Sequence, residues 1–556
     1  MKFKKIISVT IITFLIITIL GLVTYANPYS YFDSDLEELG CQDLAAGKDA
    51  TVDGSVLAAQ TCDGPYDSRL IIIPAADHQP GEMAPVYKNI IRAYPEFPNV
   101  EKKYYRKYEP LKKIGEIPEV PHTYKIFKIA YPIANELQVL LGETTIGNET
   151  EFSANPDTTI MYIEQLQIFG LQRAKTAREC VKIMGELAEK YGYADGGECL
   201  MVSDPKEVWV FEIYPVGPFW TPESGKPGAV WCAQRVPDDH VTSVPNYSRI
   251  AKIDPNDKEN FIVSSNYMDV AIELGVYDPA NGEPFIWNFT YRDTRGRESP
   301  RLWRTYNVLA PSGNWQYSEV AHYPFSIKPD KKVSFKTFIE LYQDVLAGNE
   351  YDPTEDSAWY VKPRSGEYKG QMVKSSFASP KPESAMQALL NIYPRGLISG
   401  YGCSYYYVTQ ARDWLPNEIG GVFWFGLDNP KTGVYVPVYV GINEVPESWS
   451  HLDRTKFDRK SAWWAFAAVD DQVDDRWGYL KPRLDEVLVP MQEEMYTKQE
   501  SIEQEALKLY KNDPESAKKF LTDYTSSLME KTEQTYWDLF DLFLFEMNNN
   551  SLSLPY

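Results

Sequence analysis

The chain has 556 residues, room for three or four domains at about 150 residues each unless one large enzyme sheet absorbs the length. Apolar residues at 44% and charged residues at 24% match ordinary globular chains and exclude a wholly disordered, collagenous or multi-span membrane protein. A formal net charge of −22, with no basic patch to interrupt it, argues against a nucleic-acid partner; six Cys are too few for a disulfide scaffold, and five His without an HExxH spacing give a zinc hydrolase little to stand on.

In chain order, Lys2, Lys4 and Lys5 precede an uncharged run from Ile6 to Val23, and Thr24, Tyr25 and Ala26 close it with the small residue that signal-peptidase cleavage favours. Residues 1–26 therefore read as a signal peptide or, because the run is longer than a usual signal core, a signal anchor. Either way the protein is expected to be secreted or extracytoplasmic, with a membrane tether in the second case. Residues 27–40, acidic through Asp33, Asp35, Glu37 and Glu38, read as a pro-segment. This spacer separates Cys41 from the membrane run, which argues against lipidation.

From Cys41 a short apolar stretch, a Gly47 to Gly54 turn region and a second apolar stretch from Ser55 to Ala59 predict a hairpin. Two more are predicted, from Leu200–Ser203 to Val208–Ile213 and from Gly421–Gly426 to Val434–Val440, with turn chemistry between. Thr176 and Glu179 form a capping-box pattern ahead of Val181, Met184, Leu187 and Tyr191, and Gly192 ends that helix. The tail from about Ser461 is helical in pattern, with Asp513 and Pro514 opening a further helix. Without a fixed repeat or a long linker, the reading is one mixed body over 41–460 and a helical C-terminal appendage over 461–556.

A thiol attacks well only as thiolate and needs a neighbouring base near neutral pH. The histidines, His78, His122, His240, His322 and His451, stand in no papain-like signature, so spacing selects no Cys/His pair. Cleavage between Gly40 and Cys41 offers another solution. Cys41 then becomes the first residue, and its α-amine, of ordinary pKa about 7.7–8.0, serves as base. Gly40 offers an unhindered carbonyl for self-processing. Texture alone reads Cys41 as a buried structural cysteine.

The stretch Cys41–Ser55 (CQDLAAGKDATVDGS), with Thr61–Gly64 (TCDG) and Tyr66–Leu70 (YDSRL), resembles the start of the cysteine dipeptidases that include bacterial dipeptidase A and, more remotely, the secernins. The likeness continues through Ala134–Glu136, Gly142–Thr145, Gly196–Glu198, Asp204–Trp209, Ala233–His240, Tyr323–Ser326 and Trp414–Asn417, and so runs from Cys41 to about Ser448. The resemblance implies an α+β protein: a four-layer αββα N-terminal-nucleophile (Ntn) hydrolase sandwich with Cys41 as nucleophile and its α-amine as base. It also implies a dipeptide substrate, no cofactor and no metal.

Penicillin V acylases and bile salt hydrolases are more distant relatives of that class. Their second strand carries an Arg and an Asp; Asp63 stands at the Asp position, while Gln60 replaces the Arg and supplies no fixed charge. By the same resemblance Thr144 falls near their oxyanion-hole Asn and is the substrate-binding candidate. Asn246 matches a second polar position, and Arg301, with Arg304 as rival, matches their second Arg. The implied mechanism has the α-amine take the thiol proton, Asp63 orient that amine, and Asn246 with a backbone N–H hold the oxyanion.

Other groups have plainer readings. Asp238, Asp239 and His240 read as a turn rather than a metal half-site. Glu143 and Glu198 could meet a substrate ammonium, but such carboxylates are more often hydrogen-bonding groups and stay outside the catalytic set. Tyr405, Tyr406 and Tyr407, like Trp463 and Trp464, read as core rather than a sugar platform. Cys62, Cys180, Cys199, Cys232 and Cys403 read as small core residues. Two alternatives stay open: an acylase-like N-acyl amide hydrolase on the same fold, and an inactive surface-anchored binding protein. Self-association is not decided by the sequence.

Overall fold

The computed structural model describes residues 40–92, 111–392, 396–399, 402–454 and 456–548. The signal segment and nearly all of the pro-segment lie outside the described residues. Two antiparallel sheets hold the core. Their strands, in chain order, are β1 (Gln42–Ala46), β2 (Val56–Asp63), β3 (Ile71–Ile73), β4 (Ile126–Lys128), β5 (Ala134–Asn135), β6 (Leu140–Thr145) and β7 (Glu198–Ser203). They continue with β8 (Val208–Tyr214), β9 (Val230–Val236), β10 (Val241–Val244), β11 (Phe261–Val263), β12 (Cys403–Ala411), β13 (Val422–Leu427) and β14 (Val436–Tyr439). The first sheet has the order β10-β1-β2-β12-β13-β14, and the second β11-β9-β8-β7-β6-β5-β4-β3.

All three hairpins predicted from turn chemistry are present, as β1–β2, β7–β8 and β13–β14. Strands β6 and β7 lie against β1 and β2, so the sheets face each other. The longer helices are α1 (Ile163–Arg173), α2 (Ala177–Tyr191), α3 (Pro300–Leu309), α4 (Phe335–Tyr342), α5 (Ala462–Asp475), α6 (Trp477–Tyr510) and α7 (Pro514–Asn548). Helix α2 packs on β7, β8 and β9, while α5 and α7 pack on β13 and β14. Each sheet is thus covered on both faces, which is why β12 and β13 are buried at every position and rich in apolar and aromatic residues.

The Thr176 hydroxyl accepts from the Glu179 N–H at 3.2 Å, as the capping pattern predicts, and Gly192 ends α2 at a φ of 77°. Glu179 reaches back to the N–H of Lys175 rather than Thr176. The helical tail is present, but as a layer of the body and not an appendage. Leu480, Leu484, Leu488, Met491 and Met495 bury one face of α6, and the Gln492 amide both accepts from the Tyr435 N–H (2.7 Å) and donates to its carbonyl (3.0 Å). Thr525 donates to the Pro437 carbonyl, and Glu503 forms a two-pronged ion pair with buried Arg412. Charged patterning alone suggests a solvated tail; the apolar face against the sheet decides otherwise.

Candidate functional site

Cys41 immediately precedes β1, and the hairpin turn fixes what it faces. Gly47 lies so close to the loop before β10 that a Cβ there would fall 2.5 Å from the Asp238 carbonyl oxygen. The N–H groups of Asp49 and Ala50 donate to that oxygen, and a short 3-10 turn at Lys48–Ala50 follows. The resulting register pairs Gln42 with Thr61, and one step back it sets Cys41 across from Cys62. The Cys62 thiol hydrogen-bonds the Cys41 sulfur and favours its thiolate, as does the Asp63 N–H; burial and the nearby Glu143 and Asp63 carboxylates outweigh them and push the Cys41 thiol up.

Arg301 is the hub around the Gly40–Cys41 peptide. Ser299 caps α3 by accepting from the Leu302 N–H, Pro300 occupies the first turn, and Arg301 is thereby aimed inward and buried. Its Nη1 donates to the carbonyls of Gly40 (2.8 Å) and Cys41 (2.7 Å), and its Nη2 donates to the Pro245 carbonyl and to Asn246 Oδ1, both at 3.0 Å. Asn246 sits at a φ of 62°, a left-handed conformation Asn tolerates, and its Nδ2 donates to Thr144 Oγ1 (2.9 Å) and the Thr145 carbonyl (2.7 Å). Thr144 Oγ1 in turn donates to the Cys41 carbonyl at 3.3 Å. Asp63 Oδ2 accepts from the Gly40 N–H at 3.3 Å, and burial pushes its carboxyl up to about 6 although Arg301 pulls it down. Cys41, Asp63, Thr144, Asn246 and Arg301 therefore meet around one peptide bond. Only glycine fits before it: a Cβ on Gly40 would lie 1.9 Å from Asn246 Oδ1.

Other residues singled out in the sequence go elsewhere. Arg304 forms a salt bridge with Asp344 (2.7 Å), away from Cys41. The Gln60 amide is a strut: Nε2 donates to the Glu143 carbonyl (2.8 Å), and Oε1 accepts from the Tyr407 hydroxyl (2.6 Å). Asp238 pairs with Lys48 and Arg235, Asp239 with Lys328 and, at 3.8 Å, with His240 Nε2, and His240 Nδ1 meets Ser326 Oγ, so each of the three is engaged in the turn. Tyr405, Tyr406 and Tyr407 are fully buried in β12. All six cysteines are free, and among the described residues no three His, Cys, Asp or Glu side chains are grouped as metal ligands. Sequence reasoning missed Cys62, read only as core; the strand register identifies it, and that register depends on the 3-10 turn.

Acting electrostatically on Cys41 is a buried acidic group. Burial, above all, raises Glu143, Glu164 and Glu198, with Asp195 adding to the effect at each. Glu143 and Glu164 are pushed up to about 8 from an ordinary 4.5. The folded state thus holds protons that the unfolded chain releases, a contribution whole below pH 4.5 and lost as pH rises through about 8. Thermal denaturation should therefore show a Tm several degrees lower at pH 9 than at pH 6, and a flat or rising Tm would contradict these burials.

The profile of peptidase family C69 matches residues 40–488, beginning at the residue before Cys41. A probable dipeptidase B of Streptococcus pyogenes serotype M1 is 23% identical over 504 residues, 88% of this chain and 90% of that protein. Probable dipeptidases of Salmonella dublin and Latilactobacillus sakei are each 24% identical, covering 73% and 80% of this chain and 82% and 83% of theirs. With most of its length matched, and with the match opening at the bond that Arg301 holds, the chain belongs to peptidase family C69.

Proposed function

We propose that this protein is an exported cysteine dipeptidase of the Ntn-hydrolase class, in which Cys41 frees its own α-amine and then uses it as base. The helix, sheet, sheet, helix order fits that class, and the relatives named as dipeptidases supply the substrate. The observation that carries the reading is the Gly40–Cys41 peptide, whose carbonyl accepts from Arg301 while the thiol stands next to it. In maturation the Cys41 sulfur attacks the Gly40 carbonyl, the C–N bond breaks to give a thioester and a free amine, and water hydrolyses the thioester. In turnover the amine takes the thiol proton, sulfur attacks the dipeptide carbonyl, and the proton passes to the leaving amine; water activated by the same amine releases the acyl group. Arg301, which already donates to both carbonyls, is the oxyanion donor this arrangement favours. Asn246, whose amide is engaged by Thr144 and Thr145, holds Arg301 in place.

The test is Gly40→Val. Overlap with Asn246 should slow leader removal by about 10-fold or more, with activity falling in parallel. A chain begun at Cys41 behind an initiator Met, which host aminopeptidase removes, should be fully active. Intact mass and N-terminal sequencing read the first result, dipeptide hydrolysis the second. Full activity from material still carrying residues ahead of Cys41 would end the proposal.

A further inference from the structure

A dipeptidase must tell a free N-terminus from an acylated one, and chemistry fixes where. The α-nitrogen of the first residue lies about 2.5 Å from the scissile carbonyl carbon, which itself sits about 3–3.5 Å from the attacking sulfur. The ammonium must therefore bind within roughly 6 Å of Cys41 Sγ.

The candidate is Glu143, a buried carboxyl whose charge acts on that sulfur. It precedes Thr144, whose hydroxyl bonds the Cys41 carbonyl, and it acts electrostatically on the Cys41 and Cys62 thiols. Its side chain is fully buried, with Oε2 accepting weakly from Gln60 at 3.4 Å and Oε1 without a hydrogen-bond partner. Glu198, on the neighbouring strand across from Thr145, shares a hydrogen bond with Glu143 and leaves its own Oε2 unpartnered. A second kind of group points to the same place: the fully buried Tyr193 hydroxyl lacks a partner and lies among Glu198, Glu164 and Glu143. The Thr145 hydroxyl also bonds both carboxyls, yet one oxygen of each and the phenol stay without a partner in the interior, and orphaned buried groups of that kind favour a donor-rich occupant.

We propose that Glu143, supported by Glu198, is the subsite that binds the α-ammonium of the dipeptide and confines the enzyme to substrates with a free N-terminus. This rests on the dipeptidase reading and adds a residue to it. Glu143 is a binding group: the entering ammonium displaces to solvent the proton that burial keeps on the empty site, and the carboxylate takes no part in bond making.

The experiment compares a dipeptide that the wild type cleaves, such as alanylalanine, with its des-amino analogue propionylalanine. The wild type should prefer the free amine by about 10²-fold or more in kcat/KM. Glu143→Gln should lose most of that preference, chiefly through KM. Glu198→Gln should lose less. Because Glu143→Gln could misfold, a second measurement uses the unaltered enzyme: inhibition by alanine should be at least about tenfold stronger than by propionate. An undiminished preference in folded Glu143→Gln, or equal inhibition by the two acids, overturns the subsite while dipeptide cleavage stands. Wild-type enzyme that cleaves neither compound, nor any other dipeptide, overturns the dipeptidase reading and the subsite with it.

Discussion

Cys41→Ala should leave a protein that hydrolyses dipeptides at less than about 10⁻⁴ of the wild-type rate and still carries the residues before position 41. Both effects follow from one substitution because, in the proposed mechanism, the same sulfur attacks the Gly40 carbonyl in maturation and the substrate carbonyl in turnover. The fold should survive: the side chain is small, and its partner Cys62 is a neutral thiol that tolerates a methyl group opposite. Steady-state kinetics and intact mass measure the two effects on one preparation. Loss of hydrolysis with normal leader removal would place maturation in the hands of another protease. Normal hydrolysis would dismiss Cys41 as nucleophile.

The second large effect is expected from Arg301→Met, which keeps the length of the side chain and removes its donors to Gly40, Cys41, Pro245 and Asn246. Turnover should fall by about 10²–10³-fold, the usual consequence of losing a preorganised oxyanion donor. Arg301→Lys should recover little, because an ammonium cannot span four acceptors held in a planar fork. A pH profile separates chemistry from mere support. Arg301 pulls down the Asp63 carboxyl, which burial nevertheless raises to about 6. Without Arg301, Asp63 ionises at higher pH, so the acidic limb of kcat/KM should move upward; an unmoved limb would mean that Asp63 does not govern the amine.

Much of this arrangement was legible in the chain. The three hairpins follow from Asp, Gly and Pro at the turns, and α2 from Thr176 and Gly192. The five residues chosen by resemblance, Cys41, Asp63, Thr144, Asn246 and Arg301, come from separate elements and converge. Register was not legible. A symmetric turn between Gly47 and Gly54 would set Cys41 against Gln60, whereas the 3-10 turn at Lys48–Ala50 shifts the pairing so that Cys62 stands there. Turn composition predicts that a hairpin forms but not its count of residues. The place of Gln60 as an inter-sheet strut and the burial of Glu143 were hidden for a related reason: each depends on a strand distant in sequence. The C-terminal helices read as a solvated appendage because charged residues are spread along them, although the spacing of Leu480, Leu484 and Leu488 already marks a buried face.

That helical layer has a practical meaning for anyone choosing where to cut the gene. The family match ends at residue 488, partway along α6, which runs from Trp477 to Tyr510. Shortening the polypeptide to the matched region would sever that helix, discard α7, and strip the Gln492 and Thr525 clasps from Tyr435 and Pro437. The sheet that Cys41 leads into would then show water a broad greasy flank, an invitation to aggregate.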